Sequence, residues 1–138
     1  MRHVYPWAVL VWAIAAPACD SDSTCAAPSG TYEIGYARID GNCGDIAART
    51  LEASTFRTTS FAAPCSGTVH WSDDFCQATF DATCPRDDVG PGFYDQQHSE
   101  STYSPDAASR TGLLDVTLFA ADGSTRCHSI YSVTASRL

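Results

Sequence analysis

Along most of this chain the apolar residues recur at every second position. The clearest stretch is CQATFDATC, where Cys76, Ala78, Phe80, Ala82 and Cys84 fall on one side and Gln77, Thr79, Asp81 and Thr83 on the other. Alternation of this kind marks a β-strand with one buried face. TYEIGYARI likewise groups Tyr32, Ile34 and Tyr36, TVHW groups Val69 and Trp71, and LLDVTLF groups Leu114, Val116 and Leu118. HSIYSVTASRL is rich in β-formers and is expected to close the sheet. Leu51 to Thr58 and Phe93 to Tyr103 are weaker strand candidates, and Cys43 to Ala53 is the one segment with the pattern of a short helix.

Turn residues separate these runs. Asp40-Gly41-Asn42, Asp73-Asp74, the loop from Asp87 to Gly92, and Ser104-Pro105-Asp106 each interrupt a strand, and Asp122-Gly123 is the strongest hairpin signal. Strands joined by short turns predict an all-β fold: a small antiparallel meander, barrel or sandwich, of about seven to eight strands. YDQQHSESTYS (Tyr94 to Ser104) is polar on both sides, which reads as an exposed edge strand or as a barrel wall facing a polar lumen, the edge being preferred.

The N-terminus breaks the pattern. Met1-Arg2-His3 is followed by an uncharged apolar run from Val4 to Ala16. About 13 residues is too short for a membrane-spanning helix but fits a secretory leader, with Ala16-Pro17-Ala18 as the cleavage pattern. The expected organisation is a signal peptide over 1–18, a polar tether over 19–29 that begins at Cys19, and a single β domain over 30–138.

Seven cysteines follow: Cys19, Cys25, Cys43, Cys65, Cys76, Cys84 and Cys127. An odd count in an exported chain leaves one thiol to explain. If Cys19 is set aside, the other six make three disulfides, as an oxidising compartment favours in so small a domain. Eight steps along an extended strand cover about 26 Å, while a disulfide holds its Cα atoms about 5.5 Å apart. Cys76 and Cys84 therefore do not pair with each other. A hairpin over Asp73-Asp74 instead carries Cys65 towards Cys84, the first pairing to expect.

Composition narrows the partners. The chain has no lysine and a formal net charge of −8, so nucleic acid and anionic lipid are poor partners for its surface.

The residues Ala16-Pro17-Ala18-Cys19 resemble the lipobox of bacterial lipoproteins, with Ala16 where that family usually has Leu. The resemblance implies a diacylglyceryl group on Cys19 and cleavage just before it. Asp20, next to that cysteine, implies retention at the inner membrane. Overall the chain resembles a small cysteine-rich bacterial envelope lipoprotein. Gly30-Thr31-Tyr32 is similar to the Gly-x-Trp opening of lipocalins, with Tyr in place of Trp.

Candidate chemistry is sparse. His70, His98 and His128 lack the spacing of a metal site, and a zinc centre requires three strands to converge. Cys127-His128 has the residue types of a thiol nucleophile, but a bridged sulfur does not attack. DGNCGD (Asp40 to Asp45) has a cysteine where a calcium loop needs oxygen ligands. Asp87-Asp88 reads as a solvated turn, and nucleophile-elbow, phosphate-loop and dinucleotide motifs are missing. No cofactor or metal is expected. The expected function is a non-enzymatic, lipid-anchored envelope protein with a structural or partner-recognition role. A lipocalin-like carrier of a small apolar ligand is the alternative, and a small hydrolase or inhibitor the third reading.

Overall fold

A computed structural model describes residues 24–52 and 64–138. Seven strands follow in chain order: β1 Thr31–Gly41, β2 Arg49–Glu52, β3 Ser66–Trp71, β4 Gln77–Pro85, β5 Tyr94–Tyr103, β6 Ser109–Phe119 and β7 Thr125–Arg137. They form one sheet in the order β2-β1-β7-β6-β5-β4-β3, and every neighbouring pair is antiparallel. The sheet curls into a half-barrel whose two edges are β2 and β3. Among the described residues there is no helix.

The period-two pattern decides which way each strand faces. Tyr32, Ile34, Leu114, Val116, Tyr131, Val133 and Ala135 pack together as the buried core on the concave side. Register aligns them across strands: Ile34 lies opposite Ala135, and Leu114 opposite Tyr131. Trp71, Ala78 and Phe80 of β3 and β4 extend the same surface.

Gly112, on β6, packs tightly against the backbone of β5. A Cβ there would lie 2.2 Å from the Glu100 carbonyl oxygen, so only glycine fits without moving a backbone.

Three hairpin turns use one device. Asp74, Asp106 and Asp122 each accept a bond from the backbone N–H two residues on, at Cys76, Ala108 and Ser124, over 3.0, 3.0 and 2.9 Å. The residue just after each aspartate has positive φ: Phe75 at 57°, Ala107 at 56° and Gly123 at 81°. Such a left-handed residue after a carboxylate-capped turn lets the following strand resume with the right twist. Two of the three sites hold it without glycine.

Three disulfides tie the sheet: Cys25–Cys76, Cys43–Cys127 and Cys65–Cys84. Cys65–Cys84 is the bridge the hairpin over Asp73-Asp74 predicts, and Cys76 and Cys84 each bond elsewhere. Cys25 is buried, and its N–H donates to the Asp74 carbonyl over 2.8 Å. The chain thus joins the domain five residues before Gly30, at Cys25.

Three expectations are corrected. Cys43 to Ala53 is not a helix over its described part: residues 44–48 are irregular and Arg49–Glu52 is strand β2. Cys43 is fixed to β7 by its disulfide. Its N–H donates to Ser129 Oγ over 2.7 Å, and Tyr131 Oη donates to the Gly44 carbonyl over 2.5 Å. The start of the segment is thus tied to the sheet at Cys43 and Gly44, and a helix so short has little stability of its own. Nor is β5 an edge strand; it pairs with β4 on one side and β6 on the other. HSIYSVTASRL, in β7, likewise lies inside the sheet, between β1 and β6. The strand expected over Leu51 to Thr58 falls partly on β2 and otherwise outside the described residues.

Candidate functional site

The concave face holds a cleft of about 570 Å³ at the end tied by Cys43–Cys127. One wall is apolar. Alternation along β6 turns Leu114, Val116 and Leu118 into it, and Ile46 reaches it from the loop before β2. The neighbouring strand β5 contributes polar groups beside them, because register pairs Asp95 with Leu118 and Gln97 with Val116.

Asp95 is 2% exposed, so its carboxylate requires partners for both oxygens. Gln97 Nε2 donates to Oδ1 over 2.9 Å, and Arg86 Nη1 donates to Oδ2 over 3.1 Å. Arg86, just past the end of β4, uses its Nε and Nη2 on the Asp88 carboxylate, both at 2.8 Å. The hydrogen bonds to Asp88, followed by those to Asp95, push the arginine's pKa up against the effect of burial. The same contact holds Asp88 below the ordinary carboxylate value. Arg86, Asp88 and Asp95 therefore form a closed set, and the carboxylate expected in a solvated turn at Asp88 is engaged.

Arg49 stands at the mouth of the cleft and is exposed. Its Nε donates to Tyr36 Oη over 3.1 Å, and the guanidinium carbon lies 5.8 Å from the centre of the Tyr36 ring. Among the described residues, Arg49 makes no ion pair with a carboxylate.

The convex face carries the histidines. His98 Nδ1 lies 2.7 Å from Asp81 Oδ1, and its Nε2 lies 3.6 Å from Glu100 Oε1. His128 Nε2 lies 2.8 Å from Asp115 Oδ1. Asp81, His98 and Asp115 are register partners across β4, β5 and β6 and line an open groove of about 600 Å³. The hydrogen bond accepted by the Asp81 carboxylate is the main influence raising the His98 pKa, with Glu100 adding to it. Both ring nitrogens of His98 face carboxylates, so the arrangement presents an acid-clamped imidazole and not a base beside a hydroxyl nucleophile.

His70, His98 and His128 lie on β3, β5 and β7, each separated from the next by an intervening strand. Strands two apart are about 10 Å distant, too far for one ion. Among the described residues no group of three or more His, Cys, Asp or Glu is arranged to hold a metal. Cys127 is disulfide-bonded beside His128, and the Asp40–Asp45 loop serves as the seat of Cys43. Cys19 lies outside the described residues.

Sequence reading passed over Arg86, Asp95, Gln97 and Arg49. The available signal was a strand polar on both sides, with Asp95, Gln97, Ser99 and Ser101 on one and Gln96, His98, Glu100 and Thr102 on the other, which admits a polar interior but does not select the inward set. Ser99 and Ser101 of that set are buried. In comparisons with known proteins, no family model, no curated protein and no solved structure matches this chain.

Proposed function

We propose that this chain is a lipid-anchored envelope protein, held to a membrane by acyl chains on Cys19, whose β domain recognises a ligand or partner without turning it over. The observation that carries the proposal is the cysteine count. Six of the seven cysteines are joined in three disulfides, so Cys19 is left with no cysteine in the chain to bond. Its position directly after a leader-like apolar run and Ala16-Pro17-Ala18 supports the same reading. Three disulfides in a domain this small fit an oxidising compartment. Two acyl chains on one residue give a stable anchor where one does not.

The test is metabolic labelling with palmitate in cells expressing the wild type and Cys19→Ser. Label is expected on the wild type and lost from the variant; label retained by Cys19→Ser contradicts the anchor.

A ligand-carrying role is the second reading, favoured by the concave cleft. At about 570 Å³ it falls in the ordinary range for small-molecule sites, roughly 300–1,000 Å³. The two readings are compatible: the anchor says where the domain is displayed, and the cleft says where it binds.

A further inference from the structure

We infer that the concave cleft binds a small amphiphilic monocarboxylate, with its carboxylate on Arg49 and its apolar tail along Leu114, Val116 and Leu118. The inference rests on the ligand-carrying reading of the cleft and names the chemical class that the lining selects.

The charges of the lining lead to this class by elimination. Arg86 is unavailable as an anion anchor, because its guanidinium is taken by Asp88 and Asp95. Asp95 is unavailable to a cationic ligand, because both of its oxygens accept bonds from Arg86 and Gln97. Asp45, the other acid of the lining, is solvent-facing, with its side chain 87% exposed and 3.8 Å from Arg38. Arg49 remains as the one lining cation that pairs with no described carboxylate. Tyr36 orients it from below through its hydroxyl and ring, leaving guanidinium donors free to grip a planar carboxylate as a fork.

The tail follows from the opposite wall. Leu114, Val116 and Leu118 come from alternate positions of one strand, so they form a continuous apolar strip facing inward. A ligand polar at one end and apolar along its length satisfies both walls. A dianion would leave one charge without a cation and bring it near Asp45 and Asp95. A neutral alcohol would fill the strip but leave Arg49 with only its tyrosine.

The experiment is calorimetric titration of the full-length protein with decanoate, decanol and decylammonium, repeated on Arg49→Gln and on Leu118→Trp. Ala47→Trp, which fills the same space from an exposed loop position, serves if Leu118→Trp does not fold. Decanoate is expected to bind at least about tenfold tighter than decanol, a difference of about 1.4 kcal/mol, and decylammonium weakest. Arg49→Gln is expected to abolish the preference for decanoate while leaving decanol affinity unchanged, and the filling variants to weaken both. Decanol binding as tightly as decanoate, or a preference that survives Arg49→Gln, overturns the monocarboxylate assignment and leaves the cleft standing. No binding of any probe, or binding that the filling variants leave intact, overturns the cleft reading itself.

Discussion

The carboxylate of Asp95 is deeply buried, at 2% exposure. A charge with so little exposure persists only where its oxygens are bonded and its counter-ion is fixed. Arg86 and Gln97 supply both conditions. Asp95→Asn removes the charge and leaves Arg86 paired with Asp88 alone. Because Arg86 keeps about a third of its side chain in solvent, the expected loss is about 2 kcal/mol, below that for a fully buried pair. Denaturant unfolding with an unchanged slope checks it. Gly112→Ala pushes a methyl group into the Glu100 carbonyl and is expected to lower stability by about 2 kcal/mol, read by thermal unfolding. A neutral result would mean that β5 and β6 separate more easily than their register implies.

On the convex face the carboxylates of Asp81 first and Glu100 second raise the His98 pKa above its ordinary value. A histidine whose folded pKa is raised adds stability that is fully present below its ordinary value of 6.5 and fades as pH rises through the folded value. Titration by NMR is expected to find the His98 midpoint above 6.5, and Asp81→Asn to bring it down. A midpoint indifferent to Asp81→Asn contradicts the assignment.

Among the elements, the strands whose inward positions are apolar were legible in the sequence, because alternation of Tyr32-Ile34-Tyr36 or Leu114-Val116-Leu118 has only one physical reading. Strand β5 was not, since polarity on both sides describes an edge and a polar interior equally well, and only pairing separates them. The turns at Asp73-Asp74, Ser104-Pro105-Asp106 and Asp122-Gly123 were all legible as turns, but the left-handed residue within each was legible only where it is glycine. Asp122-Gly123 stood out, whereas Asp74-Phe75 and Asp106-Ala107 make the same capped turn with a residue that sequence rules keep out of the left-handed region. What they share is the aspartate. Each of these carboxylates is held below the ordinary value of 3.8, Asp74 chiefly by Ser72, Asp106 chiefly by the Ala108 amide and Asp122 chiefly by Ser124. A depressed carboxylate gives stability that is present above its ordinary pKa and is lost as pH falls through the folded one. Stability is therefore expected to decline below about pH 4, and less steeply in the triple Asp→Asn variant at positions 74, 106 and 122. Equal acid sensitivity in both proteins would count against the shared role.

The disulfides act on the same scale. Cys43–Cys127 spans 84 residues and Cys65–Cys84 spans 19. Restriction of the unfolded chain assigns them about 4.5 and about 3 kcal/mol. Paired serine replacements, compared by calorimetry, are expected to rank in that order. The longer bridge also holds the loop bearing Ile46, and with it one wall of the cleft.

For the molecule as a whole, a curled open sheet leaves its concave side as the natural place for a ligand, and the lining there is mixed, not oily. The net negative charge disfavours contact with anionic headgroups, so in the proposed function the attachment to a membrane is assigned to acyl chains on Cys19 and not to the surface of the domain. The polarity of β5 admitted a polar interior, but the β pattern alone did not locate the cleft. Its arginines and its buried carboxylate come from separated stretches, at Arg49, at Arg86 and on β5, and only the folded register brings them to the apolar strip of β6.

The most direct test of the account is the mass of the mature protein, extracted from the native membrane without reductant and digested for N-terminal analysis. The account predicts a chain that begins at Cys19 with a diacylglyceryl group on its sulfur, and six remaining cysteines with no free thiol. An N-terminal peptide in which that sulfur is unmodified, or joined to any of the other six, would contradict it.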